Sequence, residues 1–448
     1  MAPHPRWKPS FGRMNRRDFL RRSAATAAGV PLASAILAAC GKPGTSGAGA
    51  SIPLARRDSP VRWLIHDNNK PIASDLPIEK GATLKIYNWD QYIYKAVLDD
   101  FKKKYADFDI NWEISTFNNT DEALAKIRSA QLDFDIFVPT PDLLGKMVEF
   151  DLVQPLNHDY LPHTKEVWPQ FLGDDKPYYD QGQQYSVPYV VYSTGIGWRN
   201  DVVEDKDNPR SLEAAGKNPY DVLWNDKYNG KVGAYDDYRE PISMAMIKNA
   251  IDGGTFPDVD LNTEDPATVE KATDELVRMI DKTNVQLTIN GAYEQMPRGV
   301  FAVHQAWSGD MLAAPYYGKS NAYHTAPDLD FWYPEDKRGV IGNDVMVILK
   351  GSKNPVLSHV FLDYMLEFEH AMKNFGWVGY QPPQAKLDLN ELLECGWKWG
   401  WIVCYWPHIG KPGIVEPKDF DKGFIINELA PETDAMYHDN WERFASGV

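Results

Sequence analysis

Asp237 and Glu240 stand one helical turn apart in Asp236-Asp237-Tyr238-Arg239-Glu240, just after a short apolar run and before a helix-like stretch. Acids at such a place have a plain structural use, since they cap a helix N-terminus and complement its dipole. The same spacing also turns two carboxylates toward one side, where they can hold positive charge. Aromatic residues recur at similar strand ends: Trp89 and Tyr92 in Tyr87-Asn88-Trp89-Asp90-Gln91-Tyr92, and Trp307 in Trp307-Ser308-Gly309-Asp310. A lone tryptophan ordinarily belongs to a core. Trp307, however, is flanked by polar residues and glycine, as a pocket wall would be. Indole and phenol faces suit a flat ring, a sugar or a cation, and the nearby acids favour the cation.

Other chemistries find little support. Paired carboxylates can hydrolyse glycosides, but no general acid stands out among 63 Asp and Glu. His158 and His163 flank Asp159 without a third metal ligand in sight. The chain has no Gly-x-Ser-x-Gly, no phosphate-cradling glycine loop and no His-Glu-x-x-His. Neither catalysis nor a cofactor is expected.

The candidate groups require strand ends to hold them. Residues 83–87 read as a buried strand, 95–105 as a helix, 110–115 as a strand, and 122–130 as a helix capped by Thr120 or Asp121. Residues 134–139 read as another strand, and Pro141 opens a helix to residue 150. This alternation predicts a parallel sheet covered on both faces, with ligands at the carboxyl ends of its strands. Residues 185–198 are extended and carry glycines suited to a crossing between two lobes, a division expected from the length. A second α/β set follows: strands at 231–235 and 300–305, and helices at 242–251 and 267–280. The strand 345–349 reads as a second crossing. A helix at 355–374 and the turn 379–383 supply a third, and 387–448 is helical and rich in tryptophan.

The N-terminus points to export. Asn15-Arg16-Arg17-Asp18-Phe19-Leu20 matches the twin-arginine pattern, and a small-residue apolar run ends in Leu37-Ala38-Ala39-Cys40-Gly41, which resembles a lipobox. Residues 1–39 therefore read as a signal peptide and Cys40 as the acylated residue. Residues 41–57, rich in Gly, Ala, Ser and Pro, read as a flexible tether. Seven Lys/Arg and one Asp leave with the leader, so the formal net charge falls from −16 to −22. Such a surface argues against nucleic acid and anionic lipid as partners. Cys395 and Cys404 are disulfide candidates in an exported chain.

Five segments, in order, resemble the periplasmic substrate-binding proteins of polyamine importers, the spermidine/putrescine-binding proteins. They are Tyr87-Asn88-Trp89-x-x-Tyr92, Asp135-x-Phe137-Val138-Pro139, Tyr185-Ser186-Val187-Pro188-Tyr189, Asp236-Asp237-x-Arg239-Glu240 and Trp307-Ser308. The resemblance implies a two-lobed α/β periplasmic-binding-protein fold of type II, with crossing strands and a ligand cleft between the lobes. It places lobe 1 at 82–192 plus 343–380 and lobe 2 at 193–342 plus 381–448, after a lipidated tether and extension at 40–80. It also implies that Trp89, Tyr92 and Trp307 hold the methylene chain of a polyamine, while Asp237, Glu240 and Asp344 bind its ammonium groups. The expected partners are the polyamine, an ABC permease and, through lipid, the membrane; the expected state is a monomer. Two positions depart from the family pattern. Pro141-Asp142 replaces a pocket tyrosine, making Asp142 a further ligand contact, and Gly342 replaces a tryptophan two residues before Asp344. Another organic cation or amino-acid-derived solute, or a carbohydrate-active enzyme, are the rival readings.

Overall fold

The computed structural model describes residues 52–129, 133–317, 328–393 and 407–447. The leader, Cys40, Cys395 and Cys404 all lie outside these residues.

The described strands are β1 (Thr83–Trp89), β2 (Asn111–Phe117), β3 (Ile136–Phe137), β4 (Ser186–Arg199), β5 (Val232–Ala234), β6 (Gln286–Leu287), β7 (Val303–Trp307), β8 (Leu329–Trp332) and β9 (Val340–Ile348). They form one mixed sheet in the order β2-β1-β3-β9-β4-β7-β5-β6, with β8 beside β4. At one end β1 pairs in parallel with β2 and β3. At the other end β5 pairs in parallel with β6 and β7. Between them β4 and β9 run antiparallel to each other. Both feed two cores: Val187, Val190 and Ile341 join the first, Ile196, Trp198 and Val340 the second.

Local sequence explains the crossovers. Helix α1 (Lys95–Lys104) buries Val97, Leu98 and Phe101 on one face, and lysines 102–104 sit against the negative end of its dipole. Helix α2 (Thr120–Arg128) starts two residues earlier than its sequence suggests. Asn119, rather than Thr120 or Asp121, caps it by accepting from the Glu122 amide at 3.0 Å. After β3, a short helical turn at Pro141–Leu143 leads into α3 (Leu144–Glu149). The second half contributes α4 (Arg239–Asp252), α5 (Pro266–Thr283) and α6 (Ser308–Ala313).

Two expectations are corrected. The helix expected at 355–374 is two, α7 (Pro355–Leu366) and α8 (Phe368–Val378). Glu367 is extended between them, its carbonyl taking the His370 and Ala371 amides and its carboxylate pairing with Lys104. Residues 52–57, read as tether, pack on the first core: Ala55 is buried, and the Arg57 guanidinium donates to the carbonyls of Phe420 and Gly423. Trp63, further along, donates its indole N–H to the Tyr179 carbonyl at 2.8 Å. The C-terminal helix α9 (Pro431–Ser446) packs against α5 and buries Tyr437 and Phe444 in the second core.

Asp135, from one of the quoted segments, lies away from the cleft and staples the first half together. Its two oxygens accept from the Lys85, Lys353 and Asn354 amides and from the Ser352 hydroxyl. Gly379 ends α8 at φ +80, and a Cβ there would collide with the Gly309 carbonyl oxygen. Gly379→Ala should therefore lower unfolding stability by about 1–3 kcal/mol, measured by denaturant titration, while Gly351→Ala, in open space, should not.

Candidate functional site

Three strands deliver the first groups. β1 ends in Trp89 and carries the chain to Tyr92, β7 ends in Trp307, and β5 leads to Asp237 and Glu240 at the start of α4. With β9 supplying Asp344 and the turn after β3 supplying Asp142, all seven sequence-selected residues line one cleft. The cleft lies at the carboxyl ends of β1, β5 and β7, where an open α/β sheet offers its switch point.

The walls are aromatic. Trp89 and Trp307 meet edge to face, ring centroids 6.5 Å apart at 68°. Trp307 is held from behind by Tyr235, stacked at 3.7 Å and 15°, whose hydroxyl accepts from the Trp307 amide at 2.6 Å. The Tyr235 hydroxyl donates to Asp310, and so does the Tyr380 hydroxyl, at 2.7 and 2.6 Å. Tyr380 in turn packs edge-on against Tyr92, 4.5 Å away. One buried carboxyl thus ties both walls together, and burial pushes its pKa up to about 7.

The acids fall into distinct environments. Asp344 is buried and accepts the Tyr92 hydroxyl on Oδ2 at 2.5 Å, while its buried Oδ1 has no hydrogen-bond partner among the described residues. Burial pushes this carboxyl up to about 7; the Tyr92 bond opposes the rise and the nearby Asp142 charge adds to it. Glu240 is also buried. Its Oε1 accepts the Trp307 indole N–H at 2.8 Å and the Thr194 hydroxyl at 3.0 Å, and Gln305 reaches Oε2 at 3.4 Å. Burial carries it up to about 8 despite those donors. Asp237 lines the cleft, and its Oδ1 serves the start of α4 by accepting the Arg239 and Glu240 amides at 2.8 and 2.9 Å, the plain structural use of an acid at this place.

Among the described residues lining the cleft, Arg239 is the single basic one, against six acids: Asp90, Asp142, Asp237, Glu240, Asp310 and Asp344. Its guanidinium is committed elsewhere. It donates to the carbonyls of Asn427 and Leu261 and to Asn262, and it lies over the Tyr437 ring at 4.9 Å. Its two terminal nitrogens thus anchor the C-terminal segment, while its buried Nε has no hydrogen-bond partner among the described residues. A cleft with buried carboxylates, one orphaned carboxylate oxygen and indole faces is built for cations joined by apolar carbon. Among the described residues no group of His, Cys, Asp or Glu is arranged to hold a metal ion.

Sequence reasoning missed Tyr178, Tyr192, Tyr293, Asp310 and Tyr380 as lining residues. They reach the cleft through pairing and packing between distant segments. The available signal was the alternation along β4, which puts Tyr192 opposite Gly342 once the register is known.

Comparison with known proteins supports the same outline. The sequence profile of the bacterial extracellular solute-binding proteins matches residues 96–395. The spermidine/putrescine-binding periplasmic protein 1 of Haemophilus influenzae is 26% identical over 314 residues, 69% of this chain and 77% of that protein. The putrescine/cadaverine-binding protein of Pseudomonas aeruginosa is 25% identical over 308 residues, 67% of this chain and 79% of that protein. Among solved structures, one described as a spermidine/putrescine ABC transporter from Listeria monocytogenes superposes with a TM-score of 0.63 at 24% identity, covering 81% of this chain and 98% of that one. The fold is that of the type II periplasmic binding proteins.

Proposed function

The chain belongs to the bacterial extracellular solute-binding proteins, and from that premise we propose that it binds a polyamine of the spermidine/putrescine class in the cleft and hands it to the permease of an ABC importer. The observation that carries the reading is the charge of the cleft: among the described residues six acids line it against one base, Arg239, whose terminal guanidinium nitrogens donate to Asn427, Leu261 and Asn262. The relatives from Haemophilus and Pseudomonas are named for binding spermidine or putrescine and putrescine or cadaverine, ligands of one class.

The roles follow from the geometry. Trp89, Tyr92 and Trp307 line the methylene path; Asp344, Asp237 and Glu240 pair with ammonium groups; Asp142 adds a further negative charge. A carboxylate–ammonium pair at about 4 Å contributes roughly 4 kcal/mol at an effective dielectric near 20, before desolvation. A desolvated cation–π contact adds about 0.5–2 kcal/mol. A few of each exceed the roughly 8 kcal/mol of micromolar binding once ordering costs are met. A solute carrying a carboxylate would meet these six acids and, among the described residues, one base, Arg239, whose terminal nitrogens are already hydrogen-bonded to the protein.

The residue divisions 82–192 plus 343–380 and 193–342 plus 381–448 are the two lobes that close on the ligand in this reading. Arg16-Arg17 and Cys40 make the protein a lipoprotein exported by the twin-arginine route, acting as a monomer on the outer face of the membrane. No helix among the described residues is long and apolar enough to cross a membrane. Binding without turnover is the activity; no residue is assigned to catalysis.

Calorimetric titration of the purified chain with putrescine, spermidine, spermine and glycine betaine tests the reading. Micromolar or tighter binding of a polyamine, weakened at least tenfold by Asp237→Asn, is the expected result. The asparagine can still cap α4, so the loss reports charge rather than folding. Binding of glycine betaine alone would overturn it.

A further inference from the structure

Gly342 leaves the cleft without the tryptophan of the resembling family, and the structure fills the space from the neighbouring strand. In the antiparallel pairing of β4 with β9, Tyr192 stands directly opposite Gly342. A Cβ built on Gly342 would lie 2.9 Å from both Cζ and the hydroxyl oxygen of Tyr192, so the ring tip is laid against the bare glycine backbone. No side chain larger than hydrogen fits at 342 while the ring is there. Tyr192 lines the cleft and stands edge-on to Trp307 at 6.3 Å and to Tyr380 at 6.2 Å, continuing the aromatic wall between them.

This wall differs from an indole in one chemical respect, because it ends in a hydroxyl. Among the described residues no side-chain or backbone group is hydrogen-bonded to this oxygen, and the residue is half-buried. The carboxylates of Asp344, Glu240, Asp142 and Asp237 all act on it electrostatically and, after burial itself, hold the phenol well above its usual pKa. It therefore stands between the acidic poles as a neutral group with an open acceptor. A diamine would lay methylene carbon across that position and leave the hydroxyl unsatisfied. A triamine has an interior secondary ammonium, whose N–H can donate to it.

Resting on the polyamine reading, we propose that Tyr192, admitted by Gly342, is a ligand-contacting specificity residue that selects a linear amine with an interior nitrogen over a simple diamine. Calorimetry on the purified full-length chain with spermidine and putrescine separates the parts. Tyr192→Phe keeps the wall and removes the hydroxyl; spermidine affinity should fall at least fivefold while putrescine affinity changes less than twofold. Tyr192→Ala removes the wall, and both affinities should fall at least tenfold, with thermal melting confirming the fold. In the double variant Tyr192→Gly with Gly342→Trp, the wall returns from β9 without a hydroxyl. Putrescine binding should recover and the preference for spermidine should not. Wild-type binding of either amine with no change in any variant overturns this proposal alone. Wild-type binding of neither amine overturns the polyamine reading and this proposal with it.

Discussion

Asp344→Asn is expected to weaken polyamine binding about 100-fold while leaving the ligand-free protein as stable as before, or more so. The two effects have opposite signs because the buried carboxylate is a liability until a cation arrives. Asp344 is 3% exposed, and its Oδ1 has no hydrogen-bond partner among the described residues. Burial has already moved the carboxyl up to about 7, so much of its intrinsic acidity is lost on folding. Asparagine preserves the shape and still accepts the Tyr92 hydroxyl through its own oxygen. It replaces the orphaned acceptor with an amide, which turns N–H toward an incoming ammonium. Removing one member of a desolvated charge pair costs about 2–5 kcal/mol in binding, of which roughly 3 corresponds to the 100-fold stated. Melting of the ligand-free variant, set beside titration with spermidine, checks both signs. A folded variant that binds normally would remove Asp344 from the site, and one that melts earlier would overturn the stability sign.

How far this site could be foreseen depends on where each residue gets its position. Trp89 and Tyr92 follow an apolar strand within a few residues, and Trp307 directly ends one, so period and strand-end chemistry exposed them. Asp237 and Glu240 were visible for the same reason, together with the capping role that Asp237 does fulfil. Tyr192 was not, because its meaning lies in the register between β4 and β9, which pairs residues 150 positions apart. Asp310 and Tyr235 were hidden in the same way: each looks like an ordinary strand-end residue until Tyr380 arrives from beyond α8 to share the carboxyl. The break at Glu367 carries neither proline nor glycine, and its geometry is fixed by Lys104 and by the stacking of His370 on Tyr364 at 3.6 Å. Strand order and alternation are written locally, whereas register and helix breaks of this kind are settled by tertiary contact.

Two departures from the resembling family thus have different outcomes. At Gly342 the missing aromatic is replaced from an adjacent strand, and the wall gains a hydroxyl. At Pro141-Asp142 the gained acid lies in the same electrostatic neighbourhood as Asp344, Tyr178 and Lys146. Lys146 is not spare positive charge for that acid, because it pairs with Asp434 of α9 at 2.9 Å. Among the described residues the cleft is therefore lined by more acids than bases.

That excess makes binding depend on pH, in a direction that can be worked out. Asp344 and Glu240, with ordinary values near 3.8 and 4.5, are raised by burial to about 7 and about 8 in the folded protein. For raised acids, the stabilising contribution is fully present below the unfolded values and is lost as pH climbs through the folded ones. The ligand-free protein should therefore lose stability as pH rises from about 4 to about 8. A polyamine stays protonated throughout this window, because alkylammonium groups titrate near 10. An ammonium beside each carboxylate favours its ionised form and draws its pKa back down. Binding at pH 7 must then release protons, and affinity must rise with pH until both groups are ionised in the free protein. The expected gain is about tenfold or more from pH 6 to pH 8, levelling off above the Glu240 value. Calorimetry in buffers of different ionisation heat should show net proton release near neutrality. Glu240→Gln should flatten the upper part of the profile, from 7 to 8, while leaving the part governed by Asp344. An affinity that is flat or falls over this range would mean that neither carboxylate meets the bound cation.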